Sequence, residues 1–227
     1  MISVIIPSYN ASIELYKLVK SIKKNLILFK YEIIIVEDFS KNKNINLFNL
    51  LEKERAVKIF YLKKNLGQHR AVVYGLKKSK GNYIFTLDDD MQHDPKLMKK
   101  MVLLSKKSNL IYAFPKNMTR GYLRYIFVKV MKIILVNIFF IKEFNFVSDY
   151  RLFNKKLINL ELQNKILNKN LNLDLVLNKR VFKKPFIINY KEKKRKVGSS
   201  NYNFFKLIMY TWSIIKTKIN LLFNDVF

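Results

Sequence analysis

Over residues 1–90, short apolar runs alternate with longer amphipathic ones. Residues 3–7 (SVIIP), 32–36 (EIIIV), 57–62 and 83–87 (YIFTL) are nearly continuous in β-branched or aromatic side chains, the pattern of strands buried on both faces. Between them, residues 13–29 carry Leu15, Leu18, Val19, Ile22 and Leu26 at helical spacing. Residues 46–54 also read as helix, and residues 68–78 turn Ala71, Val72 and Leu76 to one side. Such alternation predicts a doubly wound α/β unit with a mostly parallel sheet. Ligands of such folds lie beyond the carboxyl ends of the strands.

Polar clusters fall at those ends: Ser8-Tyr9-Asn10, Glu37-Asp38-Phe39-Ser40, Asn65-Leu66-Gly67-Gln68 and Asp88-Asp89-Asp90. Four such clusters at one rim are more than turns require, and they mark a candidate site.

From Met98 on, longer helical patterns take over. Residues 122–141 are apolar enough to raise a transmembrane reading. Arg124, Lys129 and Lys132 interrupt them and share an arc with Arg120. Three cations in one span are costly in a bilayer, so an amphipathic helix is expected, packed on the domain or lying in a membrane interface. Residues 203–220 sort likewise, with Asn203, Lys206, Ser213, Lys216, Thr217 and Asn220 on one face. Phe204, Leu207, Ile208, Trp212, Ile214, Ile215 and Ile219 form the other, a pattern shared by core-packing and membrane-surface helices. The expected division is a main domain over residues 1–202 and an amphipathic C-terminal helix over 203–227.

Charge changes the picture only in part. Forty-four Lys and Arg against 16 Asp and Glu give a formal charge of +28, a field that attracts phosphorylated or membrane partners. No nucleic-acid-binding module is recognisable, so no nucleic acid is expected. Cysteine is absent, which removes disulfides and thiolate metal sites. The first residues lack a basic region before the apolar run, so no cleaved signal peptide is expected.

The strongest chemical signal is Leu87-Asp88-Asp89-Asp90-Met91-Gln92-His93-Asp94-Pro95. Adjacent carboxylates repel one another, and a cation relieves that repulsion. In an extended turn Asp88 and Asp90 point to the same side, offering hard oxygen ligands for Mg²⁺ or Mn²⁺. Such an ion would offset charge on a departing diphosphate. Asp94 and Pro95 suit the cap and first position of a following helix.

With these motifs in hand, the chain resembles family 2 glycosyltransferases of the GT-A fold. The likeness rests on SVIIPSYN, VEDFS, NLGQHRAVVYGL and LDDDMQHDP, in that order. Gln92 and the later RKVGSSNY narrow it to the branch of dolichyl- and polyprenyl-phosphate sugar transferases. The resemblance implies a nucleotide-sugar donor and inversion at the anomeric carbon. It implies that Pro7, Tyr9 and Asn10 shape the nucleotide pocket, with Asp38, and Glu37 beside it, bonding the base or ribose. Gly67 would let the backbone approach the donor, Asp88 would orient it near the metal, Asp90 and Gln92 would ligate the ion, and Arg195 would close over the phosphates. The chain departs from the family in having Glu37 where Asp is usual and Asn201 where Lys is common.

Asp149, in VSDYRLF, falls near the segment that faces the acceptor in the family, and Arg151 matches an arginine often found there. Asp149 could deprotonate an acceptor hydroxyl, with Asp174 as the rival base. If the acceptor is a lipid phosphate no base is needed, and Arg151 could hold that phosphate. His69 and His93 are read as supporting polar residues. The expectation is a metal-dependent transferase acting on a lipid-linked or other glycan acceptor, in peripheral contact with an anionic membrane on its cytoplasmic face. The rivals are a soluble or protein acceptor, a sugar-phosphate nucleotidyltransferase, and a non-enzymatic basic protein binding nucleic acid or membrane.

Overall fold

The computed structural model describes residues 1–116, 129–138, 147–169, 172–181, 184–191 and 204–223, with side chains in the last segment described over 211–220. Strands β1 (Ile2–Ser8), β2 (Tyr31–Glu37), β3 (Val57–Tyr61) and β4 (Tyr83–Thr86) alternate with helices α1 (Glu14–Asn25), α2 (Ile45–Glu52) and α3 (Gln68–Lys78). Then come α4 (Leu97–Leu104), β5 (Leu110–Pro115), a helical segment α5 over 129–138, β6 (Arg151–Asn154), α6 (Leu160–Lys169), α7 (Leu173–Arg180), β7 (Phe186–Tyr190) and α8 (Phe204–Phe223). The seven strands form one sheet in the order β3-β2-β1-β4-β6-β5-β7. Strands β1 to β4 are parallel where they pair; β6 runs antiparallel to both β4 and β5, and β7 is parallel to β5.

The core follows from strand alternation. Val4 and Ile6 of β1 face α1 and α4 through Leu15, Leu18, Ile22, Met98 and Met101. Ile5 faces α3, α6 and α7 through Val72, Leu76, Leu162, Ile166 and Val176. Each large aliphatic side chain so enclosed contributes about 1.5–3 kcal/mol. Helix α3 lies so close to the sheet that a Cβ on Gly75 would stand 2.6 Å from Ile5 Cγ2.

The N-terminal alternation appears as expected, within a few residues. Helix α1 stops at Asn25 rather than continuing to 29, leaving Ile27 and Leu28 exposed. The sequence pattern missed β5, β6 and β7. Strand β6 is four residues long with a buried arginine, and β7 is an edge strand with alternate residues exposed. Most of the expected helix over 122–141 lies outside the described residues; its described part, 129–138, is helical and includes a π-wound turn, Ile134–Ile138.

Helix α8 is present, but its faces differ from those expected. Thr217, assigned to the polar face, is fully buried and accepts the Asn172 backbone N–H at 2.7 Å. Trp212 and Ile219, assigned to the apolar face, are exposed. The helix is held through Ile214, which packs with Leu135 of α5 and Leu175 of α7. Among the described residues no helix is long and apolar enough to cross a membrane.

Candidate active site

All four polar clusters reach the carboxyl rim of the parallel strands, where hydrogen bonds link them in a closed ring. Ser8 Oγ, ending β1, donates to Asp89 Oδ2 at 2.8 Å. The Asn10 N–H bonds Ser40 Oγ at 2.8 Å, and Asn10 Oδ1 accepts from the Asn42 N–H at 3.2 Å, joining the loops after β1 and β2. Asp38 accepts the N–H groups of Leu66 and Gly67 at 2.6 and 2.7 Å, joining the loops after β2 and β3. Gln68 Nε2, opening α3, donates to Asp88 Oδ1 at 2.6 Å and closes the circuit.

Each loop of the ring also holds one residue in the left-handed region: Asn10 (φ 54), Phe39 (φ 57), Gly67 (φ 83) and Met91 (φ 61). The only other such residue among those described is Ala56, φ 70. For bulky Phe39 and Met91 this conformation is costly and persists where the surroundings impose it, a habit of functional sites.

The acidic turn is held from behind as well. His93 is buried, and its Nδ1 accepts the Asp88 N–H at 3.1 Å. That bond places the proton of a neutral ring on Nε2. The ring stacks on Tyr150 (centroids 5.2 Å apart, 23° between planes), and the Tyr150 hydroxyl donates to the Asp94 carbonyl at 3.0 Å. Burial raises the Tyr150 pKa well above the ordinary phenol value, so it remains a neutral donor. Asp90 Oδ1 accepts the Gln92 N–H at 3.0 Å, folding the turn back on itself. Asp88 is thus directed to α3 and Asp89 to β1.

The acidic pair after β2 divides its work. Burial raises the Asp38 pKa, partly opposed by the two backbone donors, and each of its oxygens grips the loop before α3. Glu37 is fully buried; its Oε1 accepts the Ser40 N–H at 2.7 Å. Its Oε2 has no hydrogen bond and lies 3.5 Å from Lys43 Nζ. Of the two carboxylates expected to meet a base or ribose, Glu37 therefore keeps one oxygen without a hydrogen bond, ion-paired with Lys43. Pro7 is buried within β1 in register with Val36; Tyr9 is half-buried at the rim. Asn10 does not cap α1, whose cap position is Ile13.

Gly67, at φ 83 and ψ 155, occupies a region nearly closed to other residues. Nothing lies within 4 Å of where its Cβ would stand, so open space faces this backbone.

The second wall comes from the segment entering β6. Thr86 Oγ1 donates to the Asp149 carbonyl at 2.8 Å and accepts from Arg151 Nε at 2.9 Å. The Arg151 guanidinium is fully buried and pairs with Asp174 Oδ1, which also accepts from the Tyr112 hydroxyl at 3.0 Å. Arg151, which could hold the phosphate of a lipid-phosphate acceptor on the sequence reading, is instead committed to an interior ion pair and is not exposed to a ligand. Desolvation alone would lower its pKa, but the charge of Asp174 keeps it raised and the group cationic. Asp174 is fully buried too, its pKa raised by desolvation against the pull of Arg151, and its Oδ2 has no hydrogen bond. That placement makes it a poor rival to half-buried Asp149 as an accessible base. Asp149 lies close enough to act electrostatically on both Arg151 and Asp174, and His69 on Asp174. Arg195 lies outside the described residues.

Ser8, Gln68 and Tyr150 support the site without having been singled out as site residues, whereas His93, read as a supporting polar residue, accepts the Asp88 N–H. Ser8 and Gln68 were visible as members of the polar clusters. The role of Tyr150 depends on the antiparallel return of β6, which the pattern did not reveal.

The match to the model of "Glycosyl transferase family 2" covers residues 3–166. The chain belongs to glycosyl transferase family 2. It is similar to the dolichol-phosphate mannosyltransferase of Pyrococcus furiosus, 33% identical over 101 residues, covering 44% of this chain and 29% of that protein. It is also similar to the undecaprenyl-phosphate 4-deoxy-4-formamido-L-arabinose transferase of Pseudomonas aeruginosa, 30% identical over 106 residues, 45% of this chain and 31% of that one. The matched stretch thus spans about a third of the length of these relatives. Among solved structures, mannosyl-3-phosphoglycerate synthase from Rubrobacter xylanophilus superposes with a TM-score of 0.66 at 11% identity, over 98% of this chain and 74% of that chain. S. aureus TarS residues 1–349 with UDP-GlcNAc give 0.56 at 16% identity, over 99% and 67%. The fold is accordingly that of the GT-A glycosyltransferases, as the family membership also requires.

GT-A members of the family generally use a divalent cation. The side-chain chemistry of the acidic turn suits one: Asp88 and Asp90 would offer hard carboxylate oxygens and Gln92 an amide oxygen. Among the described residues no three His, Asp or Glu side chains form a metal site by themselves, so a bound ion would draw further ligands from the donor diphosphate and water.

Proposed function

We propose that this protein transfers a sugar from a nucleotide-sugar donor to a lipid-linked acceptor of the polyprenyl-phosphate class, inverting the anomeric centre. The single observation that carries this reading is the acidic turn, aimed into the rim by Ser8, Gln68 and His93. In this reading the base and ribose lie between the loops after β1 and β2, lined by Pro7, Tyr9, Asn10 and Glu37, with Glu37 Oε2 accepting a donor from the nucleoside. Asp38 acts by shaping Gly67, beside which the diphosphate passes. Asp88, Asp90 and Gln92 would hold Mg²⁺ or Mn²⁺, which supplies charge compensation for the leaving diphosphate. Arg195 would close over the donor phosphates as a cation.

The acceptor assignment is supported by the names of the two relatives above and by the +28 charge. A phosphate acceptor is already anionic at neutral pH, so its attack on the anomeric carbon needs no base. Asp149 then positions the acceptor; for a hydroxyl acceptor it would remove the proton. We place the protein peripherally at the cytoplasmic face of the membrane, with residues 1–202 as the transferase domain. The exposed Trp212 and Ile219 of α8 are the contact we favour within 203–227.

Titration with UDP, GDP and dTDP, with and without Mn²⁺, tests the donor half of the reading. Metal-dependent binding of one diphosphate, lost in Asp90→Ala, is the expected result. Product analysis with polyprenyl phosphate and a panel of nucleotide sugars tests the acceptor. Binding of RNA with no nucleotide effect would overturn the enzymatic reading.

A further inference from the structure

A concave feature lies at the opposite end of the strands from the rim, where β4 begins and β6 ends. It is an open cavity of about 590 Å³ lined by Lys77, Asn82, Tyr83, Asn154, Lys155 and Lys156, with Ile158, Asn159, Leu160 and Gln163 completing the wall. No carboxylate is among its lining residues. Volume in this range suits a small organic ligand.

Lysines are common all over this chain, so their presence carries little alone. The amides say more, because local hydrogen bonds fix which end of each faces outward. Asn154 Oδ1 accepts the Lys156 N–H at 3.0 Å, and Asn159 Oδ1 caps α6 by accepting the Leu162 N–H at 2.8 Å. With both oxygens spent on backbone, the Nδ2 donors are the ends left for a ligand. Asn159 also sets the first turn of α6 at the cavity wall, and unpaired N–H groups at a helix start favour anions. The carboxylate in that turn, Glu161, is paired with Lys165 and does not line the cavity.

Lys155 and Lys77 point the same way. Lys155 Nζ bonds the Ser79 carbonyl at 2.5 Å and Lys77 Nζ bonds Asn164 Oδ1 at 2.9 Å. Both partners are neutral, so neither charge is neutralised by these contacts. Lys155 is part-buried, and burial lowers its pKa, partly opposed by the charge of Glu32; a bound anion would relieve the remaining cost.

One wall group requires the opposite kind of partner. Gln163 is 3% exposed; its Nε2 donates to the Ile158 carbonyl at 3.0 Å, while its Oε1 is buried without a hydrogen bond. A buried acceptor left unmade costs more than an exposed one, and a ligand hydroxyl can supply the missing donor. A bare inorganic anion satisfies the donors around it but leaves this acceptor poorly served.

We propose that this cavity binds a phosphorylated polyol, its phosphate held by Lys155, Lys156, Asn154, Asn159 and the α6 N-terminus, with a hydroxyl donating to Gln163 Oε1. Such a group occurs free, as in glycerol 3-phosphate, and as the headgroup of phosphatidylglycerol. The site lies at the opposite end of β4 from the acidic turn and does not depend on the donor reading above.

The test is titration of the ¹⁵N-labelled full chain with glycerol 3-phosphate, inorganic phosphate, and vesicles of phosphatidylglycerol or phosphatidylcholine, following the side-chain amides of Asn154, Asn159 and Gln163. Asn159→Asp keeps a good helix cap but replaces the outward N–H₂ with an anionic oxygen. Saturable shifts with glycerol 3-phosphate, weaker with inorganic phosphate and about tenfold weaker or more in Asn159→Asp, support a soluble ligand. Shifts only with phosphatidylglycerol vesicles, lost in Asn159→Asp but kept in the one-charge control Lys24→Gln, support the lipid headgroup. Absence of saturable shifts from both sources overturns the proposal, as does binding that Asn159→Asp leaves unchanged.

Discussion

Replacing Arg151 by Met gives the sharpest check on how the second wall of the site is held. The substitution keeps the apolar stem and removes the guanidinium, leaving Asp174 wholly buried with Tyr112 as its remaining hydrogen-bond donor. Breaking one side of a buried ion pair costs about 3–5 kcal/mol. For a chain of this size that corresponds to roughly 6–20 °C in Tm. Asp174→Asn in the same background removes the stranded charge, so the double variant should recover on the order of 2 kcal/mol relative to the summed single effects. The pH dependence has a definite sign. Burial already raises the folded pKa of Asp174 and Arg151 opposes that rise, so Arg151→Met raises it further. An acid with a raised folded pKa adds stability when protonated and loses it as pH climbs through that value. The deficit of Arg151→Met should therefore be smaller at pH 5 than at pH 7. Urea unfolding followed by circular dichroism at the two pH values measures it. A deficit under about 1 kcal/mol, equal deficits at both pH values, or strict additivity in the double variant would refute the reasoning.

Three further outcomes follow from other parts of the molecule. Glu54, paired with Lys20 and Lys23, has its pKa lowered from 4.5 to about 2 by those hydrogen-bonded cations. Its stabilisation is present above 4.5 and lost as pH falls toward 2, so Glu54→Gln should flatten that part of the acid-unfolding curve. Gly67→Ala meets no atom within 4 Å but must hold φ 83, so urea unfolding should show a loss of about 1–3 kcal/mol from backbone strain alone. Thr217→Val leaves the buried Asn172 N–H without its acceptor and should cost about 1–3 kcal/mol by the same measurement.

The N-terminal half was legible because its strands are central, parallel and buried on both faces, so hydrophobicity alone marks them. Val4, Ile5 and Ile6 are all fully buried, and no competing pattern obscures them. The rim was legible for the same reason, since polar clusters stand out where buried strands end. The other half was not. Strand β6 contains an arginine that reads as facing an acceptor until Asp174, 23 residues away in the chain, supplies its buried partner. Thr217 was placed on a solvent face because a hydroxyl looks polar on a helical wheel, whereas here it serves as the buried acceptor at the start of α7. Asp38 could be read as site-forming from its neighbours, but not that its two oxygens would be occupied by Leu66 and Gly67. Long-range pairing of that kind leaves no periodic trace in one sequence.

Because β6 runs opposite to its neighbours, two of the chain's long excursions are tethered at the ligand rim. Strand β5 ends there at Pro115, and the chain returns there through Ser148, whose hydroxyl bonds the Ala113 carbonyl at 2.7 Å. Strand β7 ends at the same rim, where the Tyr190 carbonyl accepts the Lys116 N–H at 2.7 Å and the stretch carrying Arg195 departs. A change of length beyond these anchored ends need not disturb any strand register, because the ends themselves are fixed by backbone and hydroxyl hydrogen bonds. The direction of one four-residue strand thus brings the ends of β5 and β7 and the start of β6 to the rim that carries the acidic turn.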